Sequence, residues 1–188
     1  GANLTRIALL SEVARQKTEN GSRHMLSSIA DIARESVASM NDIVWAIAPE
    51  HDSLTDLTRR MRNHAEEVFA SREIDLSFNA ASSRQDVTLS LSVRRDLLLI
   101  FKEAVNNAAK HSECSRVAVD FVFDHSFLTL RIEDDGIGFD TSEVFDGQGV
   151  RSLKRRAEAM GGRISIDSAP GQGTTVEFGL RLEKSAFA

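Results

Sequence analysis

The sequence predicts an α+β chain: a helical hairpin followed by an α/β sandwich, one mixed sheet with helices on one face. Three observations carry this. Ala30, Ala33, Val37, Met40, Val44 and Ile47 are spaced 3, 4, 3, 4, 3, the seam of a coiled coil or helical bundle. From Ile74 the pattern changes to alternating strands and helices. Leu128, Leu130, Ile132 and Asp134 then fall on one strand face, ending an apolar row with a carboxylate.

Residues 2–20 read as a helix without glycine or proline, with a stripe of Leu4, Ile7, Leu10, Val13 and Ala14. Asn20-Gly21-Ser22 predicts a turn, and the second helix runs to about Ala48. Two such helices bury their seams poorly alone, so residues 1–48 are expected to form a homodimeric four-helix bundle, the alternative being a hairpin packed on its own domain. Pro49 ends the second helix and Asp52 or Ser53 caps the next. That helix shows Leu54, Leu57, Met61, His64 and Val68 on one seam and stops near Ser71-Arg72-Glu73. His64 is read as a packing residue.

A domain is expected over 53–184. Ile74, Leu76 and Phe78 mark a first strand, 80–88 a polar loop and 92–111 a long helix. Val117, Val119, Phe121 and Phe123 mark the second strand, joined through Asp124-His125-Ser126 to the third at 127–134. A loop at 140–149 precedes a helix carrying Val150, Leu153, Ala157 and Met160, closed by Gly161-Gly162. Two last strands flank a turn at 170–173.

The net charge of −5 gives no basic field for nucleic acid. Cys114 stands alone, so no internal disulfide forms and a reducing cytoplasm suits the chain. No apolar run is long enough to span a membrane. Gly1 falls inside a helical pattern, so the chain is expected to be an excised fragment with room for a membrane-spanning region upstream.

Four groups of residues suggest chemistry. A buried carboxylate needs a partner, so Asp134 is read either as an acceptor for a nucleotide base, with Gly136 and Gly138 making room, or as part of an Asp-Asp-Gly turn. Glu103, Asn107 and Lys110 share one helix face, with His111 next to it. They suit a wall facing metal and phosphate, or simply an exposed polar face. Gly147-Gln148-Gly149 precedes a helix start, where free amides favour phosphate. Gly171-Gln172-Gly173-Thr174 reads alone as a hairpin turn.

In this order the four groups resemble the nucleotide-binding domain shared by sensor histidine kinases, gyrase, Hsp90 and MutL, over about residues 74–184. The resemblance implies the Bergerat-type ATP-binding fold, Mg2+ on Asn107 and the adenine amino group on Asp134. It further implies Gly136, Gly138, Gly147, Gly149, Val150 and Thr174 around the base and phosphates, Lys110 and His111 near the phosphates, and 140–148 as a lid. Residues 102–112 and 147–156 are similar to the two-component subclass of nitrate sensors and the lipid-desaturase thermosensor, with Val150 where that subclass has leucine.

By that resemblance the chain is a histidine kinase core using ATP and Mg2+. Glu103 is a candidate general base, and a response-regulator receiver domain is the partner. Gly1-Ala2-Asn3-Leu4 resembles the segment just after the phosphoacceptor box, so the acceptor histidine is expected a few residues upstream and autophosphorylation is not expected of this stretch alone. His24 lacks the acid that comes after an acceptor. Two alternatives stay open: an ATPase or anti-sigma-type serine kinase on the same fold, and a non-catalytic nucleotide-binding dimer scaffold.

Overall fold

The computed structural model describes residues 53–82, 87–141 and 148–182 continuously, with scattered positions between Ile7 and Trp45. The chain divides into two compact units, Gly1–Ala48 and Pro49–Ala188. In the first unit every described residue is helical. The turn at 20–22 and the stop at Pro49 lie outside the described residues, as does most of the expected hairpin.

The second unit opens with α1 (Leu54–Ala70), started by Ser53, whose Oγ accepts the Asp56 N–H at 3.0 Å. Its buried face is Leu54, Leu57, Met61, Ala65 and Phe69. The last two differ from the expected His64 and Val68, because a straight helix drifts away from a heptad seam within two turns. His64 sits half-buried beside this face and meets the Phe101 ring edge-on at 6.4 Å.

Strand β1 (Asp75–Ser82) runs four residues beyond Phe78, into the stretch expected to be loop. Its register with the next strand is unbroken to Ser82, so backbone pairing overrides the polar sequence. The crossover helix α2 (Leu91–His111) leads to β2 (Arg116–Asp124), which lies parallel to β1. Strand β3 (Phe127–Asp134) comes next and is antiparallel, then α3 (Gln148–Ala159), β4 (Arg163–Ser168) and β5 (Thr174–Arg181). The sheet order is β1-β2-β3-β5-β4. One parallel pairing in an otherwise antiparallel sheet makes it mixed, as expected.

Alternation places Val117, Val119, Phe121 and Phe123 of β2, and Leu128, Leu130, Ile132 and Asp134 of β3, on the buried face. They pack under the helices with Leu97, Phe101, Ala104 and Ala108 of α2. The other face is polar, with Arg131 bound to Glu133 at 2.7 Å and Asn79 to Asp120 at 3.1 Å. At the open edge, the Arg62 guanidinium lies 4.5 Å from the centre of the Phe78 ring and donates to the Phe78 carbonyl at 3.1 Å. Among the described residues no helix is long and apolar enough to cross a membrane.

The β2–β3 turn has two residues, His125 and Ser126, at φ 46° and 70°. Both are left-handed, as a type I′ hairpin requires, but neither is the Asn or Gly that tolerates it best. Ser126→Gly is expected to stabilise the domain by about 0.5–1 kcal/mol in urea unfolding, and a loss of stability would contradict this turn geometry.

Candidate functional site

A cavity of about 470 Å³ opens between α2, the inner end of β3 and the start of α3. That size falls in the usual range for small-molecule sites. Its walls are mainly apolar, including Ala104, Ile132, Leu153, Ile166 and Val176. The polar groups among them are few: Asn107, His111, Ser112, Asp134 and Thr174.

Asp134 is the one carboxylate among the lining residues, with 7% of its surface exposed. The β3 alternation points it inward, and the strand ends there. Its carboxylate accepts the Gly136 N–H at 3.0 Å and the Thr174 N–H. Burial pushes its pKa above the usual carboxylate value, more than these two donors pull it down. It stands as a buried acceptor with lone pairs to spare beside an apolar cavity.

The neighbouring carboxylate does something else. Asp135 points outward and accepts from Ser115 N at 2.9 Å, Ser115 Oγ at 2.8 Å and Arg116 N at 2.8 Å. Thus the Asp-Asp-Gly turn and the inward acceptor are both present, on adjacent residues.

Two glycines permit the close packing behind Asp134. A Cβ on Gly136 would lie 2.1 Å from the Ser112 carbonyl oxygen, which already accepts the Ile137 N–H at 2.7 Å. Gly173, at φ +70°, would bring a Cβ within 2.0 Å of the Asp134 carbonyl oxygen. Ser112 closes α2: its Oγ donates to Ala108 O at 2.7 Å and accepts Cys114 N–H at 3.1 Å. The end of α2 is thereby fixed to the end of β3.

The expected site residues fall in three groups. Asn107, His111, Asp134, Gly138, Gly149, Val150 and Thr174 line the cavity together. Glu103 and Gly136 are not among the lining residues, and the Glu103 Oε1 is 2.5 Å from where a Gly149 Cβ would be. Asn107 Nδ2 is 3.6 Å from the same point, so the carboxylate and the amide meet the first turn of α3. Lys110 is exposed on the last turn of α2 and is not among the lining residues. Gly147 and most of the expected lid lie outside the described residues. No group of three or more His, Cys, Asp or Glu side chains that could hold a metal occurs among the described residues. Asn107 and Glu103 fit only a hard cation that keeps most of its ligands from phosphate and water, which is how Mg2+ binds.

Sequence reasoning missed two supports. Asp96, near the start of α2, is buried and accepts from Arg95 and, at 3.2 Å, from Arg156 of α3. Ser168 bonds to three parts of the loop cluster under the cavity. Neither has a local signal, since the partners are brought together only by the sheet.

Residues 92–184 match the family model described as histidine kinase-, DNA gyrase B- and HSP90-like ATPase. Over these residues the chain carries the sequence pattern of that ATPase family. The sensor protein VraS of Staphylococcus epidermidis is 33% identical over 101 residues, 53% of this chain and 29% of that protein. The sensor histidine kinase LiaS of Bacillus subtilis is 36% identical over 94 residues, 50% of this chain and 26% of that protein. The chain therefore spans under a third of the length of these relatives. The Acinetobacter baumannii histidine kinase AdeS superposes with a TM-score of 0.65 at 15% identity, over 96% of each chain. The histidine kinase domain of the Erythrobacter litoralis EL346 blue-light activated kinase superposes with a TM-score of 0.57, also at 15%, over 96% of this chain and 94% of that one. At such identity the likeness establishes the fold alone.

Within this ATPase domain the three donors hold the Asp135 pKa below its ordinary value. Its stabilisation is therefore present in full above the unfolded carboxylate pKa and is lost as pH falls through the lowered folded value. Asp135→Asn is expected to cost about 1 kcal/mol at pH 7, solvent screening keeping it small. Urea titrations at stepped pH check this: the gap from wild type should close in acid, and a gap that widens in acid would contradict it.

Proposed function

We propose that the domain binds Mg-ATP in this cavity and that the protein passes the γ-phosphoryl group to a histidine, for relay to an aspartate of a response regulator. The observation that carries the reading is the buried acceptor at Asp134, set in an apolar cavity opposite Asn107 and the first turn of α3. The adenine ring enters between the apolar walls, and its exocyclic amino group donates to Asp134. The triphosphate extends toward Asn107, where the α3 amides and helix dipole favour negative charge. Asn107 and His111 border that end.

The Asn107 amide oxygen would hold Mg2+ when it is bound, and the ion would supply neutralisation of the phosphate charge. A neutral imidazole nitrogen attacks the γ-phosphorus. The N–P bond forms as the bond to the β–γ bridging oxygen breaks, and that oxygen leaves on ADP. Glu103, beside Asn107, takes the proton the imidazole sheds. Most of the acceleration comes from alignment and charge neutralisation.

The described part of Gly1–Ala48 supports a homodimer. Val37, Met40 and Val44, on the 3,4 seam, are 58%, 65% and 66% exposed in the single chain. Large apolar side chains at heptad spacing are covered by a second copy in bundles of this kind. Met40→Glu with Val44→Glu is expected to give a monomer by light scattering with ATP affinity retained, and a dimer that persists would contradict the seam.

Asp134→Asn replaces one acceptor oxygen by a donor facing the adenine amino group, and Asn107→Asp adds charge beside the phosphates. Each is expected to weaken Mg-ATP binding at least about 10-fold, from 1–3 kcal/mol per misplaced polar group. Calorimetry on folded variants checks this, and unchanged affinity in both would contradict the assignment.

A further inference from the structure

Next to Thr174, which lines the cavity, stands a hydroxyl that is not itself among the lining residues. Ser168, the last residue of β4, is half-buried and pairs across the turn with Thr174. Its Oγ donates to the Gly173 carbonyl at 2.8 Å. It accepts the Phe139 N–H at 2.9 Å. It also lies 3.0 Å from Thr174 Oγ1, where distance alone leaves the donor open.

The inventory of a serine hydroxyl removes that ambiguity. It has one proton and two acceptor lone pairs. The proton is committed to Gly173 O, and one lone pair takes the Phe139 N–H. The bond to Thr174 must therefore run from the Thr174 hydroxyl to Ser168. Thr174 lines the cavity, and with its proton turned away it offers a ligand only lone pairs. The Thr174 N–H is likewise spent on the Asp134 carboxylate.

We propose that Ser168 is a positioning residue that sets the hydrogen-bond polarity of Thr174, so that Thr174 and Asp134 both face the base as acceptors, selective for a purine carrying an exocyclic amino group over one carrying a carbonyl there. This deepens the Mg-ATP reading of the same cavity and rests on it. The same three bonds tie the Gly138-Phe139 segment to the Gly173-Thr174 turn. Ser168 thus couples two motifs, separated in sequence, that both border the base.

Asp134 alone prefers an amino group to a carbonyl. A Thr174 hydroxyl free to rotate would give a carbonyl-bearing base a donor and blunt that preference. Removing the Ser168 oxygen frees the Thr174 proton, so discrimination falls, beyond any general loss of affinity. A purely structural serine would weaken ATP and ITP alike.

The test compares ATP and ITP affinity, each with Mg2+, in wild type, Ser168→Ala, Ser168→Thr and Asp134→Asn, all verified as folded. The ATP-to-ITP preference of wild type is expected to fall at least about 10-fold in Ser168→Ala, the range for one misplaced polar partner, and to be largely restored in Ser168→Thr. Without any nucleotide, Phe139 amide exchange is expected to accelerate in Ser168→Ala and stay slow in Ser168→Thr. If Ser168→Ala keeps the wild-type preference while Asp134→Asn loses it, this inference is overturned and the adenine site stands. If Asp134→Asn also leaves the preference intact, or wild type binds neither nucleotide, the adenine reading fails and the polarity assignment with it. Unchanged Phe139 exchange in Ser168→Ala overturns the network itself.

Discussion

A carboxylate taken out of water at the inner end of a strand is the constraint around which the ATPase domain is arranged. Asp134 gains two backbone donors but keeps a pKa above the usual carboxylate range, so the fold bears a cost to keep the group where it is. That cost is local. The strand below it is an ordinary apolar row, and the helices above it pack on Leu128, Leu130 and Ile132 as on any core strand. Only the last inward position is given to a charge, and there the packing opens into a cavity instead of closing.

The surroundings hold that one residue in place without neutralising it. Ser112 bonds the end of α2 to the chain just after Asp134, and the missing side chain of Gly136 lets the two backbones touch. Asp135 fastens the outer side of the same turn to the start of β2. Ser168 braces it from β4 and Gly173 from the turn before β5. None of these contacts brings a cation to Asp134, which leaves the carboxylate unspent for a ligand donor. At the other end, Asp96 and Arg156 join α2 to α3, the two helices whose Asn107, Glu103 and Gly149 come together at the far end of the cavity.

How much of this was legible in the sequence depended on the range of the physics. Period-two alternation located β2 and β3, and the same alternation showed that Asp134 faces inward. Ser53 and Gly161 marked helix ends because capping is settled within one turn. The order of glycine and acidic motifs carried the resemblance to the ATPase family, which the family model bears out over 92–184. The failures have one cause. Strand β1 extends through Asn79, Ala80 and Ala81 because β2 pairs with them, and no local pattern encodes a partner about forty residues away. The buried face of α1 shifts to Ala65 and Phe69 because tertiary packing obeys the true helical period. Ser168 and Arg156 found their roles only once the sheet brought distant segments together.

The central claim is that Asp134 is the acceptor for the base of a bound nucleotide. Carbon-13 NMR of the Asp134 carboxyl through a pH titration, without and with Mg-ATP, tests it most directly. The free domain should show this carboxyl titrating above the ordinary range. Bound Mg-ATP should lower that pKa, because a donor from the base favours the ionised form. A pKa that stays where it was when the nucleotide binds would place the base elsewhere and contradict the claim.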